Sequence, residues 1–186
     1  MEYPKGITVY GASRPDLDPA YTAAAFMLGV KVAEAGLPLI SGGGSKGLMA
    51  QAIEGALSAG GVTIGVLPQF MVNRGWQHPG LTEMIVTPDM HSRKKKMAEL
   101  SMGVIAMPGG IGTFEELLEI ITWRQLGLYK GRVVILNTLE YYNPLLGMLD
   151  QANKEGFMRS NTDMRLWRVT DDPERAVQVI CQSYKL

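Results

Sequence analysis

The stretch Met107-Pro108-Gly109-Gly110-Ile111-Gly112-Thr113-Phe114-Glu115-Glu116 constrains the fold more than any other in this 186-residue chain. It follows the apolar run Gly103-Val104-Ile105-Ala106, short enough for a buried strand, and leads into Leu117-Leu118-Glu119-Ile120-Ile121, which has helical spacing. A strand, a glycine turn and a helix start, in that order, make a corner that holds an anion. The first N–H groups of a helix lack intrahelical partners and carry the positive end of its dipole, and glycines let a phosphate reach them. Glycines and a proline packed this densely cost chain entropy unless the backbone needs them. The loop therefore reads as a phosphate cradle built from Gly109, Gly110, Ile111, Gly112 and Thr113. Thr113 and Glu116 also have the T-x-x-E spacing of a capping box, in which each side chain satisfies the other residue's free N–H. On that reading Glu116 is a structural cap.

The same unit recurs along the chain. Gly6-Ile7-Thr8-Val9-Tyr10-Gly11 is a β-rich run ending in Gly11-Ala12-Ser13-Arg14, and an Ala-rich stretch from about Leu17 to Ala35 has helical spacing. Ser13 and Arg14 fall where open parallel sheets bind ligands. Leu37-Pro38-Leu39-Ile40 is a second strand, then comes the loop Ser41-Gly42-Gly43-Gly44-Ser45-Lys46-Gly47 and a helix from about Leu48 to Ala59. Gly43 and Gly44 are candidate ligand contacts there. The loop is no Walker motif, because Lys46-Gly47 is followed by Leu48, and no acidic residue about 20 positions on ends a strand to hold a dinucleotide ribose.

A third strand covers 61–68 and a fourth is Glu83-Met84-Ile85-Val86, after which Thr87 as N-cap and Pro88 as first residue open a helix. Within it Arg93 shares a face with Asp89 and Met97, whereas Lys95 and Lys96 read as solvated. A partly buried arginine near a phosphate loop is a candidate for a functional ion pair. The segment from Gln69 to Gly80, with Trp76 and His78, has no clear period and reads as a loop over the ligand edge. His78 has no His or Cys companion at metal-ligand spacing, so no metal is expected. A long helix runs to about Gln125 and stops at Gly127. Strands at 131–137 and 165–169 then alternate with helices at 142–154 and from Asp172-Pro173 to about Tyr184. This alternation predicts an α/β fold, an open, mostly parallel sheet with helices on both faces, in one domain spanning 1–186.

Charge and hydropathy narrow the partners. Lys plus Arg and Asp plus Glu number 18 each, so no global field attracts nucleic acid or an anionic membrane, and the 46% hydrophobic content suffices for a sizeable core. No apolar run has the length of a membrane span, and the first residues lack a signal peptide's apolar core; a cytoplasmic protein is expected. The single Cys181 reads as a buried, inert thiol of the last helix.

These residues resemble the LONELY GUY (LOG) family of cytokinin riboside 5'-monophosphate phosphoribohydrolases. The family pattern P-G-G-x-G-T-x-x-E is complete at Pro108 to Glu116, and R-K-x-x-M is present as Arg93-Lys94-Lys95-Lys96-Met97. The likeness continues through Gly42-Gly43-Gly44 with Gly47-Leu48-Met49, through Thr122-Trp123-Arg124-Gln125-Leu126-Gly127 and through Tyr141-Tyr142-Asn143-Pro144-Leu145-Leu146. It implies a Rossmann-like fold and hydrolysis of the N-glycosidic bond of a purine nucleoside 5'-monophosphate, N6-modified or AMP itself. The products are a free base and ribose 5-phosphate. It further implies catalysis by Arg93 and Glu116, substrate binding by Lys94 and the glycine loops, no cofactor, and a homodimer. The helix of Arg93 to Met97, with Trp123, is the expected dimer face. Ser101-Met102-Gly103, Ser41 and Tyr129 depart from the family pattern and bear on base preference. A second, weaker likeness is to the molybdenum-cofactor carrier proteins, non-catalytic binders with a related glycine loop. The family's older label, lysine decarboxylase, would need a Schiff-base lysine, and no lysine here stands out in that role.

Overall fold

The computed structural model describes residues 3–158 and 166–182. The chain enters at the centre of a sheet with β1 (Gly6–Tyr10), then α1 (Pro19–Glu34), β2 (Leu39–Ser41), α2 (Gly47–Ser58), β3 (Thr63–Pro68), α3 (Gln69–Asn73) and β4 (Glu83–Thr87). It continues with α4 (Met90–Leu100), β5 (Ser101–Ala106), α5 (Ile111–Gln125), β6 (Arg132–Leu136), α6 (Asn143–Lys154), β7 (Arg168–Thr170) and α7 (Pro173–Cys181). The strand order is β4-β3-β2-β1-β5-β6-β7 and every pairing is parallel, so the fold is Rossmann-like α/β.

Period-two alternation sends the central strands' side chains into two cores. Ile7, Val9, Ile105, Met107, Val134 and Leu136 meet α1, α2 and α7 on one face. Tyr10, Val104, Ala106, Val133 and Ile135 meet Met97 of α4 and Leu117, Ile120 and Ile121 of α5 on the other. Burial on both faces is why these strands are almost uninterrupted runs of apolar residues. The winding reverses between β1 and β5, and at such a switch point the loops leaving the two strands diverge and open a crevice at their carboxyl ends.

Side-chain caps fix three helix starts. Asp18 accepts from Ala20 N–H at 2.8 Å, Asp89 from Ser92 N–H at 2.7 Å and Asp172 from Glu174 N–H at 2.8 Å. Asp89 corrects the expected start of α4. Thr87 belongs to β4, where its hydroxyl donates to the Leu67 carbonyl, and Pro88 precedes the cap rather than opening the helix. The segment after β3 is partly regular, since α3 occupies its first five residues. The last strand begins at Arg168; Arg165 and Tyr184, placed in the last strand and helix by sequence, lie outside the described residues. Arg93, Lys94 and Met97 are buried inside the monomer, so they cannot form the outer face expected of them. Among the described residues no helix is long and apolar enough to cross a membrane.

Candidate active site

A cavity of about 640 Å³ opens at the switch point, walled by residues 11–14 after β1, by the glycine loop before α2 and by residues 110–113, the N-cap and first turn of α5. The two central loops are tied together. Met107 N–H donates to the Tyr10 carbonyl at 2.8 Å and Ala12 N–H to the Pro108 carbonyl at 3.0 Å. Leu48 N–H at the start of α2 reaches the Ala12 carbonyl at 2.8 Å, so two helix starts border one cavity.

Gly110 is the N-cap of α5 and has no side chain to accept from the first turn, which leaves the N–H groups of Ile111, Gly112 and Thr113 available to a ligand. This overturns the capping box, because Thr113 and Glu116 both lie inside the helix rather than astride its start. Thr113 is buried against Gly109, where a Cβ would come within 2.1 Å of the Thr113 hydroxyl oxygen. Gly112 has open space where its Cβ would be, and it lines the cavity. Gly109 thus shapes the loop from behind, while Gly110, Ile111, Gly112 and Thr113 line the cavity.

Arg93 and Glu116 meet across the base of the cavity. The Arg93 Nη1 donates to Glu116 Oε1 at 2.8 Å and its Nε to the Val66 carbonyl at 3.0 Å; the two side chains are 6% and 11% exposed. Gly42 makes room for this arginine, since a Cβ there would sit 1.9 Å from Nη2. Burial raises the Glu116 carboxyl pKa above the ordinary carboxylate range, and Arg93 pulls it down by less. Tyr10 lies buried near this pair, and burial together with the Glu116 charge keeps its hydroxyl protonated well above the usual range.

Lys94 turns away from the cavity. Its amine bonds Glu115 and, at 3.1 Å, Glu119, both on α5. Burial alone would lower its pKa, but the two carboxylates outweigh that and raise it. Gly44 lines the cavity, whereas Gly43 supports it: Gly43 has φ +67°, its N–H donates to Ser41 Oγ at 3.1 Å and its carbonyl accepts from His78 N–H at 2.8 Å. Ser101 and Tyr129, two of the departures from the family pattern, hydrogen-bond each other at 2.7 Å and do not line the cavity.

Residues 69–80 lie over the cavity as expected of them. Gln77 bridges Gly44, Ser45 N–H donates to the Trp76 carbonyl at 3.0 Å, and Met71 and Trp76 form part of the wall. His78 holds this segment down. Its Nδ1 accepts from Gly80 N–H at 3.1 Å, so Nε2 carries the proton and donates to Glu54 at 2.8 Å. No group of three or more His, Cys, Asp or Glu side chains suited to a metal occurs among the described residues. Sequence reasoning missed Lys46, Met49, Met71 and Met90 as wall residues. Methionine at helical spacing looks the same in a core as in a ligand wall, so only Lys46, beside the glycines, carried a signal.

Residues 49–180 match the family described as possible lysine decarboxylase. The chain is 42% identical over 178 residues to a cytokinin riboside 5'-monophosphate phosphoribohydrolase of Rhodococcoides fascians, covering 95% of this chain and 89% of that one. It is 41% identical over 154 residues to an enzyme of the same name from Arabidopsis thaliana, covering 83% and 71%. The chain belongs to the LOG family. Other structures share this family member's fold. A molybdenum cofactor binding protein from Rippkaea orientalis superposes with TM-score 0.72 at 25% identity over 98% of both chains. The molybdenum cofactor carrier protein of Chlamydomonas reinhardtii does so with TM-score 0.73 at 28% identity over 97% of this chain and 98% of that one.

Proposed function

We propose that this LOG-family chain is a phosphoribohydrolase that cleaves the N-glycosidic bond of a purine nucleoside 5'-monophosphate, releasing the free base and ribose 5-phosphate. The observation that carries the reading is the Arg93–Glu116 pair, with Glu116 in the second turn of α5, ~7.5 Å along the axis from Ile111 at its uncapped start, and its side chain leaning back towards that start. That span suits the distance from a ribose phosphate to its anomeric carbon. The phosphate is taken by the N–H groups of Ile111, Gly112 and Thr113, with Arg14 and Lys46 adding positive charge at the rim. Met49, Leu67, Met71 and Trp76 give the purine and an apolar N6 substituent a soft, adaptable wall.

Breaking the C–N bond develops oxocarbenium-like charge on the ribose, which an adjacent carboxylate stabilises. Water adds its oxygen to the anomeric carbon as the bond to the base breaks. One water proton passes to Glu116 and on to the departing base, and the other stays in the new anomeric hydroxyl. Arg93 orients Glu116 and offsets part of the burial that favours its neutral form. Lys94 acts from behind α5 rather than on substrate. Its raised pKa keeps it charged, which opposes the Schiff-base chemistry that the name lysine decarboxylase suggests. The reading includes no cofactor, no nucleic-acid partner, a cytoplasmic location and a homodimer.

Purified protein incubated with AMP and with N6-isopentenyl-AMP is expected to release free base and ribose 5-phosphate, followed by chromatography. Loss of release in both Arg93→Ala and Glu116→Ala supports the assignment. The likeness to molybdenum-cofactor carriers supplies the second reading. Protein that leaves both nucleotides intact and purifies with a bound pterin and molybdenum would replace hydrolysis with carriage.

A further inference from the structure

The phosphate loop does not hold its own shape. Its three carbonyls, at Met107, Pro108 and Gly109, each accept from a donor outside the loop: Tyr142 Oη at 2.7 Å, Ala12 N–H at 3.0 Å and Tyr141 Oη at 2.6 Å. A trans peptide is planar, with C=O and N–H on opposite sides. A hydroxyl that fixes the Gly109 carbonyl therefore turns the Gly110 N–H the other way, and Gly110 is where the loop meets the cavity.

The turn that delivers the two tyrosines is kept at a cost. Leu139 and Glu140 have φ of +52° and +58°, a left-handed backbone that residues with side chains rarely adopt, and the Thr138 hydroxyl is buried without a partner among the described residues. Asn137 braces the turn from three sides. Its N–H donates to the Thr170 carbonyl at 2.7 Å, its Oδ1 accepts from Tyr142 N–H at 2.7 Å, and its Nδ2 donates to Asn143 Oδ1 at 2.9 Å. The Tyr141 ring stacks on Phe114 and meets Tyr21 and Tyr142 edge-on, which fixes where its hydroxyl points. Strain, an unsatisfied hydroxyl and a braced turn in four consecutive residues need a reason beyond chain reversal.

We propose that Tyr141 is a positioning residue for phosphate recognition: its hydroxyl locks the Gly109–Gly110 peptide plane so that the Gly110 N–H turns toward the ligand's phosphate, while Tyr142 anchors the Met107–Pro108 peptide, which has no N–H to offer. The inference rests on the reading of that loop as a phosphate cradle. It assigns Tyr141 to the ribose-phosphate half of the substrate and leaves the base untouched.

Calorimetric titration of the intact protein with ribose 5-phosphate and, separately, with adenine tests this without relying on turnover. Tyr141→Phe keeps the ring stack and removes only the hydroxyl. Its ribose 5-phosphate affinity is expected to fall about tenfold, the equivalent of one lost hydrogen bond, with adenine affinity unchanged. On AMP the loss should appear in KM with kcat nearly retained. Tyr142→Phe, whose ring is fully buried and whose hydroxyl holds a peptide without an N–H, should lower the melting temperature with a smaller loss of ribose 5-phosphate affinity than Tyr141→Phe. A folded Tyr141→Phe with unaltered ribose 5-phosphate affinity, or with both ligands weakened equally, overturns the proposal. So does wild-type protein that binds no ribose 5-phosphate. Wild-type protein that binds ribose 5-phosphate with the expected tyrosine dependence but leaves AMP intact upholds the clamp and removes the hydrolase reading.

Discussion

At Glu116 burial favours the neutral acid and Arg93 favours the carboxylate; burial wins, so the folded-state pKa lies above the ordinary range. If the reacting form is the carboxylate, kcat/KM must fall as pH drops through that raised value. A pH profile of AMP hydrolysis should therefore show an acid limb above the usual carboxylate pKa, and Glu116→Gln should lose both the limb and about 10²–10⁴ in rate. Stability runs the opposite way. A carboxyl whose pKa rises on folding favours the fold below its unfolded pKa, and that contribution is lost as pH rises through the folded value. The melting temperature of Glu116→Gln should gain on wild type across that window, and a gap that is flat with pH would contradict the shift. Arg93 makes two bonds in a fixed fork, to Glu116 and to the Val66 carbonyl, which an ammonium cannot reproduce. Arg93→Lys should cost at least about tenfold in kcat/KM, while Arg93→Ala strands a buried carboxyl and should cost about 3 kcal/mol in chemical denaturation. Arg93 was legible as a half-buried cation because Met97 shares its face. Its partner 23 positions away came only with the family resemblance, because spacing along one helix says nothing about which helix packs opposite.

Glycine turns at strand ends were the most readable elements, since the backbone needs them for different and separable reasons. Gly47 has φ +67°, and a Cβ there would lie 2.3 Å from the Ala12 carbonyl oxygen, the atom that accepts from Leu48 N–H. Gly47→Ala should destabilise by about 2 kcal/mol or more, read from denaturant midpoints. Gly112 sits in the first turn of α5 with open space around it, so Gly112→Ala should melt at or above the wild-type temperature. Its methyl would stand in the cavity, so KM for AMP should rise all the same. Equal stability loss in the two variants would sink the distinction. Element starts were less readable where two residues could each cap. Thr87 and Thr113 both had the right chemistry, yet the chain caps α4 with Asp89 and leaves α5 with Gly110, which has no side chain to accept from the first turn. The turn at 138–140 gave no signal at all: nothing in Thr-Leu-Glu announces a left-handed backbone imposed by contacts at Asn137 and Gly109.

For the whole molecule, the alternation of strands and helices specified the class of fold but not the strand order. That order depends on which strand pairs with β1 on its free side, a choice made by the two cores jointly. The match of Ile105 and Met107 to one face and of Val104 and Ala106 to the other seats β5 there and puts both glycine loops at one edge. The cavity is a product of that topology, and so is the surface left over. With Arg93, Lys94 and Met97 spent inside the monomer, the large apolar groups exposed on α5 and its following turn, apart from Ile111 at the cavity, are Leu118, Leu126 and Leu128, the last two 52% and 72% exposed. Leu118 and Leu126 are eight positions apart and share a helix face, with Thr122 between them. Apolar side chains gathered on one face away from the cavity suit burial against a second copy more than contact with water. Sedimentation velocity should find the wild type as a dimer and Leu126→Asp/Leu128→Asp as a folded monomer. A wild-type monomer, or a double variant still dimeric, would move the contact elsewhere. Circular dichroism matching wild type would separate lost association from lost folding, because neither leucine belongs to the two cores.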